Sequence, residues 1–134
     1  MEFDETRISE FAGFIYEIRH RATGRAYIGR KYLQARRNGR TVESNWRIYW
    51  GSSEALALDL KRFGKAAFER RILSLHATRA ETDFAEEREL WRRDVLAAVL
   101  PDGSAAFYNR QIGARWYRVT VDRFSGGTKI EHMR

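Results

Sequence analysis

At 134 residues, with 43% hydrophobic and 13% aromatic side chains and a single proline, the chain is long enough for one modest core. That composition excludes a disordered or fibrous protein. A formal net charge of +7 and a pI near 10.1 point to a polyanionic partner, nucleic acid first and an anionic membrane second. The absence of cysteine excludes a disulfide framework, a thiolate zinc site and a cysteine nucleophile. No apolar run is long enough to span a bilayer and none reads as a signal peptide, so the expected compartment is a reducing cytoplasm.

Residues 1–12 are polar and mixed in charge, a lead-in that docks through Phe3 or Phe11. Phe14 to Ile18 is β-branched and aromatic, which suits a pleated, half-buried strand. Ala22-Thr23-Gly24-Arg25 supplies a turn, with Gly24 free to take positive φ, and Ala26-Tyr27-Ile28-Gly29 begins the return strand. Phe14, Tyr16 and Ile18 share one face, and the hairpin register decides whether Tyr27 joins them. From Arg19 to Arg47 nine Lys or Arg stand against one acid, Glu43, so the basic excess is concentrated. A charge run alone is commonly a solvated face. The interleaved Tyr32, Trp46, Tyr49 and Trp50 favour nucleic acid, because bases stack on such rings. Arg30, Lys31, Arg36, Arg40, Trp46 and Tyr49 are the expected contacts.

Gly51-Ser52-Ser53-Glu54 reads as a loop closing into a helix cap. Ala55–Phe63 follows as a helix with Leu56, Leu60 and Phe63 at helical spacing and Gly64 as its stop. Ala67–Leu75 reads as a third strand, with a helix as the alternative. A second helix, capped by Thr82 or Asp83, runs through about Val99 and ends at Pro101-Asp102-Gly103. At about 100° per residue, Phe84, Leu90, Trp91, Val95 and Ala98 form its apolar face, and Glu87 falls inside it. An acid on a buried face is costly unless it is paired, hydrogen-bonded or bound to a metal. Glu86 exchanges roles with Glu87 if the helix is rotated. Ser104–Arg110 is a loop, and Arg115–Phe124 and Thr128–Met133 read as a hairpin turning at Ser125-Gly126-Gly127. His20, His76 and His132 lack metal-ligand spacing. The expected class is α+β: a small three-stranded antiparallel sheet flanked by helices, with a C-terminal β-hairpin.

Phe14-Ile15-Tyr16 and then Tyr27-Ile28-Gly29, about ten residues on, resemble the two-strand motif of the GIY-YIG endonucleases. Gly51-Ser52-Ser53, Phe63-Gly64, Phe68, Ile72-Leu73, an acid early in the next helix and Tyr108-Asn109 extend the likeness over about residues 13–110. The chain looks closest to the small phage-encoded homing-type members, which implies the cytoplasm of a bacterial host. Phe14 stands where the family has glycine. The resemblance implies a nuclease domain over 13–110, preceded by the lead-in and extended by the hairpin of 111–134.

It further implies metal-dependent hydrolysis of DNA phosphodiester bonds with one Mg²⁺ or Mn²⁺, no organic cofactor and no membrane partner. Its metal ligand is Glu87, by ungapped spacing from Ile72-Leu73 and by helix face, with Glu86 one residue away. Tyr16 takes water activation or positioning, Tyr27 phosphate contact and Asn109 support. The family's arginine, on a helix after the second motif, falls on Arg37 by ungapped spacing or on Arg47. Tyrosine near pKa 10 is a weak base unless a cation lowers it, a part open to the arginines and Lys31. A nucleic-acid-binding module of the same fold without cleavage is the alternative.

Overall fold

The structure, a computed structural model, describes residues 3–118. A 3₁₀ turn over Glu5–Glu10 docks against the core with Phe3 and Phe11. Strands β1 (Gly13–His20) and β2 (Ala26–Tyr32) then form a hairpin whose turn contains Gly24 at φ 82°. A second hairpin, β3 (Gln34–Arg37) and β4 (Arg40–Glu43), reverses at Asn38 and Gly39, with φ 53° and 75°. Two consecutive positive φ values match the right-handed twist of the flanking strands. Helix α1 (Glu54–Phe63) starts where the Ser53 side chain accepts from the Leu56 N–H, and it stops at Gly64, φ 84°. β5 (Phe68–His76), α2 (Arg79–Arg92), β6 (Gln111–Ile112) and β7 (Trp116–Tyr117) complete the described chain.

The main sheet runs β2-β1-β5, antiparallel throughout, with β1 in the middle and nearly all of it buried. Its two faces carry different cores. Phe14, Tyr16 and Ile18 pack with Leu33, Trp46, Leu56, Phe68 and Tyr108 on the α1 side. Ile15 packs with Ile28, Ala85, Leu90, Val95 and Ile112 on the α2 side. The register places Tyr16 opposite Gly29 and Ile18 opposite Tyr27, so Tyr16 and Tyr27 are diagonal neighbours on one face. A bulge between Ile15 and Tyr16 in the pairing with β5 adds local twist at the tyrosine. The fold is thus the expected α+β class with a C-terminal strand pair. That pair is β6–β7, turned at Gly113 and Ala114. The hairpin expected between Arg115–Phe124 and Thr128–Met133 lies largely outside the described residues.

α2 departs from its expected bounds and face. Thr78, not Thr82 or Asp83, caps it by accepting from the Glu81 N–H, and Asp94 at φ 55° turns the chain away after Arg93. The inward stripe is Thr82, Ala85 and Leu90, while Phe84 and Trp91 are 66% and 49% exposed. The stripe eluded hydrophobic periodicity because small and paired polar residues face in and aromatics face out. Glu89 is half-buried because it pairs with Arg93 at 2.7 Å. No helix among the described residues is long and apolar enough to cross a membrane.

The outer edge of β2 is covered rather than left open. Residues 106–109 lie parallel to it, with the Ala26 N–H donating to Ala106 and the Tyr108 N–H donating to Ala26, at 3.0 and 2.7 Å. Asn109 continues the ladder with its side chain. Its Oδ1 accepts from the Ile28 N–H at 3.0 Å and its Nδ2 donates to the Ile28 carbonyl at 2.8 Å. One amide thereby satisfies both backbone groups of a residue flanked by Tyr27 and Gly29.

β1 also buries a carboxylate. Glu17, 1% exposed, accepts from Arg19 at 2.8 Å, Arg71 at 3.0 Å and Arg93 at 2.9 Å, tying β1 to β5 and to the end of α2. Burial opposes its ionisation, and the three arginines outweigh burial and hold its pKa below the usual carboxylate range. Glu17→Gln leaves those arginines without their counter-charge. Breaking a buried pair typically costs 3–5 kcal/mol, reduced here to about 2 kcal/mol because the guanidinium heads reach water. A depressed carboxylate pKa stabilises above its unfolded value, near 4.3, and the contribution fades as pH falls through the folded value. Urea unfolding is expected to separate wild type from Glu17→Gln at neutral pH and to bring them together in acid. Equal midpoints at neutral pH would contradict this role.

Candidate active site

Tyr16 stands at the centre of β1 with its phenol laid across β2, and the contact depends on residue 29 having no side chain. A Cβ at Gly29 would lie 2.4 Å from the Tyr16 hydroxyl oxygen, closer than atoms can approach. On the α1 side Gly51, at φ 86°, brings its backbone against the same phenols. A Cβ there would be 3.3 Å from both the Tyr16 hydroxyl and Tyr27 Cε2. The rings of Tyr27 and Tyr49 lie 6.1 and 6.0 Å from that of Tyr16, centroid to centroid. Ser52 also lines a cleft beside Tyr27. Two residues beyond Gly29 on the same face, Lys31 holds its ammonium 4.0 Å from the Tyr49 ring centroid.

Burial dominates the electrostatics of this cluster. It drives the Tyr16 pKa far above the ordinary phenol value, with the neighbouring phenols and Glu86 acting in the same direction. Tyr27 is raised for the same first reason. Lys31 is lowered by loss of solvent. Both phenols are therefore neutral hydrogen-bond donors at pH 7. The expected lowering by nearby arginines is not realised, because those arginines are engaged elsewhere.

On the other face of the sheet, α2 turns Glu86 toward β2. Its side chain is 18% exposed and accepts from Arg30 Nη1 at 2.5 Å, while Arg30 Nε meets Asp83 one turn earlier at 3.1 Å. Burial raises the Glu86 pKa against the opposing pull of Arg30, and its charge is felt at both Tyr16 and Tyr27. Glu87, expected as the ligand, is exposed on the neighbouring face. It lies beside Gly113 and lines a surface cleft with Phe84, Arg88 and Trp91. The correction follows from helix rotation: position 86 continues the 82, 85 stripe, and position 87 does not.

Neither expected arginine reaches the phenols. Arg37 is exposed on β3, opposite Arg40, where the Asn38-Gly39 turn replaces the family's helix. Arg47 pairs with Glu5 at 2.5 Å and Glu43 at 3.0 Å and covers the Trp46 ring. Trp46, expected to offer a face to a base, is 2% exposed and packed against Phe3 and Phe14. Arg36 and Arg40 are exposed on the hairpin, and Arg30 is tied to α2. Lys31 and Tyr49, read from the sequence as nucleic-acid contacts, sit within the tyrosine cluster. Arg70 supports it by donating to the Tyr49 carbonyl at 2.6 Å and stacking 4.2 Å from the Trp50 centroid. The period-2 spacing of Tyr27, Gly29 and Lys31 carried a signal for Lys31. Asp83 and Arg70 had none.

The cluster borders a cleft of about 340 Å³ whose walls include Tyr27, Ser52, Asn109 and Arg110. Among the described residues no group of three or more His, Cys, Asp and Glu gathers. Glu86 and Asp83, a turn apart and joined by Arg30, could serve a hard cation that keeps most of its waters and needs one or two carboxylates once that guanidinium is displaced. Gly29→Ala is expected to lose at least 2 kcal/mol of stability by urea unfolding, because the Tyr16 ring must move or β2 must shift. An unchanged midpoint would contradict the close approach.

A family model described as "Putative endonuclease segE, GIY-YIG domain" matches residues 1–112. No curated protein and no solved structure matches the chain. With the paired motifs on adjacent strands and the match covering most of its length, the chain belongs to the GIY-YIG endonuclease family.

Proposed function

We propose that the protein is a metal-dependent DNA endonuclease whose reaction centre is the Tyr16–Tyr27–Glu86 cluster at the edge of β2. The observation that carries this reading is the pairing of Tyr16 and Tyr27 by the sheet register over Gly29, with the α2 carboxylate Glu86 tied to β2 through Arg30. Glu86 would hold the Mg²⁺ or Mn²⁺, which would displace the Arg30 guanidinium that joins it to Asp83. When bound, the cation would offset charge building on the phosphoryl oxygens and acidify water.

The remaining roles belong to the chain. Tyr16, neutral and fixed against Gly29, orients the attacking water by hydrogen bonding rather than acting as a phenolate base. Tyr27 donates to a non-bridging phosphate oxygen. Lys31 is the cation of the cluster best placed to meet charge developing in the transition state, since Arg37 and Arg47 lie elsewhere. Asn109 acts through the backbone of Ile28, fixing β2 between the phenol and the glycine. The displacement of both expected arginines favours a second reading, a DNA-binding module that does not cleave.

Nicking of supercoiled plasmid DNA with Mg²⁺ or Mn²⁺ separates the two readings. The wild type is expected to nick. Tyr16→Phe and Glu86→Gln are expected to lose roughly 10²-fold or more, on the scale of a positioned catalytic group, with Glu87→Gln near wild type. An inactive wild type with either metal, or a dead Glu87→Gln beside an active Glu86→Gln, would overturn the proposal.

A further inference from the structure

A second cleft, about 390 Å³, opens on the opposite side of the cluster between the β3–β4 hairpin and the start of α2. Four cations line it, Arg30, Lys31, Arg36 and Arg79, together with Tyr32 and Tyr49, and no carboxylate lines it among the described residues. It shares Lys31 and Tyr49 with the candidate reaction centre and so leads directly away from it.

Of the four cations in this cleft, only Arg30 meets a carboxylate among the described residues. Arg30 and Arg47 are each bound by two carboxylates. Among the described residues Lys31, Arg36 and Arg79 pair with none. Each is instead held in place by neutral partners. Arg79 donates to the Gln34 carbonyl at 3.2 Å and lies 4.2 Å from the Tyr32 ring centroid. Arg36 donates to the Gly39 carbonyl at 2.7 Å and to Thr41 Oγ1 at 3.0 Å. Lys31 rests over Tyr49. Arg79 is also the first residue of α2, where the helix dipole favours an anion over a cation. A cation fixed against that preference, beside two others without counter-charge, makes a pre-organised row of phosphate donors. The aromatic faces carry cations, so the cleft suits the sugar-phosphate backbone rather than stacked bases.

We infer that this cleft is the track for the substrate's DNA backbone on the hairpin side of the reaction centre, with Arg36 and Arg79 each contacting a phosphate. The assignment rests on the nuclease reading for its orientation and is tested through binding alone. A fluorescent DNA duplex is titrated with the full chain in EDTA across a salt series. Arg36→Gln and Arg79→Gln are each expected to lower the slope of log K against log salt by about 0.9, and the double variant by about 1.8. Arg62→Gln, an exposed change at the end of α1, is expected to leave it unchanged.

Arg36 bonds only within its own hairpin, so its variant keeps the test independent of folding. An unaltered slope in Arg36→Gln would overturn the track while leaving the nuclease reading intact. The predicted slopes in a wild type that fails to nick plasmid would uphold the track and remove the nuclease reading. Tighter binding to an RNA duplex of the same sequence would overturn the assignment to DNA.

Discussion

The phenol of Tyr16 lies against β2 only because position 29 carries no side chain, and that close approach fixes where the rest of the site stands. The antiparallel register that sets Tyr16 opposite Gly29 also places Tyr27 diagonally beside it and Lys31 on the same face. Gly51 closes the other side of the ring, and Tyr49 stands edge-on to it. Asn109 secures β2 from outside by occupying both backbone groups of Ile28. The consequence is chemical as well as steric. A phenol enclosed this way stays neutral and has few positions open to it, which suits orienting a reactant more than abstracting a proton.

The arginines divide into two populations by what they touch. One population holds the fold together: Arg19, Arg71 and Arg93 surround Glu17, Arg93 also takes Glu89, and Arg47 joins Glu5 to Glu43. The other, on the hairpin and at the head of α2, is positioned by carbonyls, a hydroxyl and aromatic rings. A net charge of +7 is therefore a poor guide to where the protein is basic. What matters for a polyanion is the charge that structural carboxylates leave uncompensated. Much of the arginine content reads as structural on this criterion, and among the described residues the groove beside Lys31 is one surface with charge to offer.

Much of the fold was legible from the sequence. Alternating aromatic and β-branched residues marked β1, Gly24 marked its turn, and Ser53 with Gly64 bracketed α1. Whether Tyr27 shares a face with Tyr16 depends on the hairpin register, which the sequence leaves open and the structure shows to put them together. α2 resisted because Thr82 and Ala85, which hydrophobic periodicity does not recognise, share its inward stripe with the expected Leu90, while Phe84 and Trp91 face outward. Of the two acids the sequence offered, Glu86 is therefore the one turned inward and Glu87 the exposed one. Arg37 failed for a different reason: counting from Tyr27 assumed a helix, and the consecutive positive φ values at Asn38 and Gly39 made a hairpin. Tertiary pairings such as Arg30 with Glu86, and Asn109 with Ile28, span long sequence separations and leave no local trace.

The central claim is that one α2 acid, Glu86, converges with two enclosed phenols at the edge of β2 and brings a divalent cation to them. Paramagnetic broadening of backbone amide resonances on titration with Mn²⁺ tests it most directly. The account predicts loss of signal centred on Tyr27, Gly29, Arg30 and Glu86. Broadening centred on Glu87 and Gly113, or spread without focus over the surface, would contradict it.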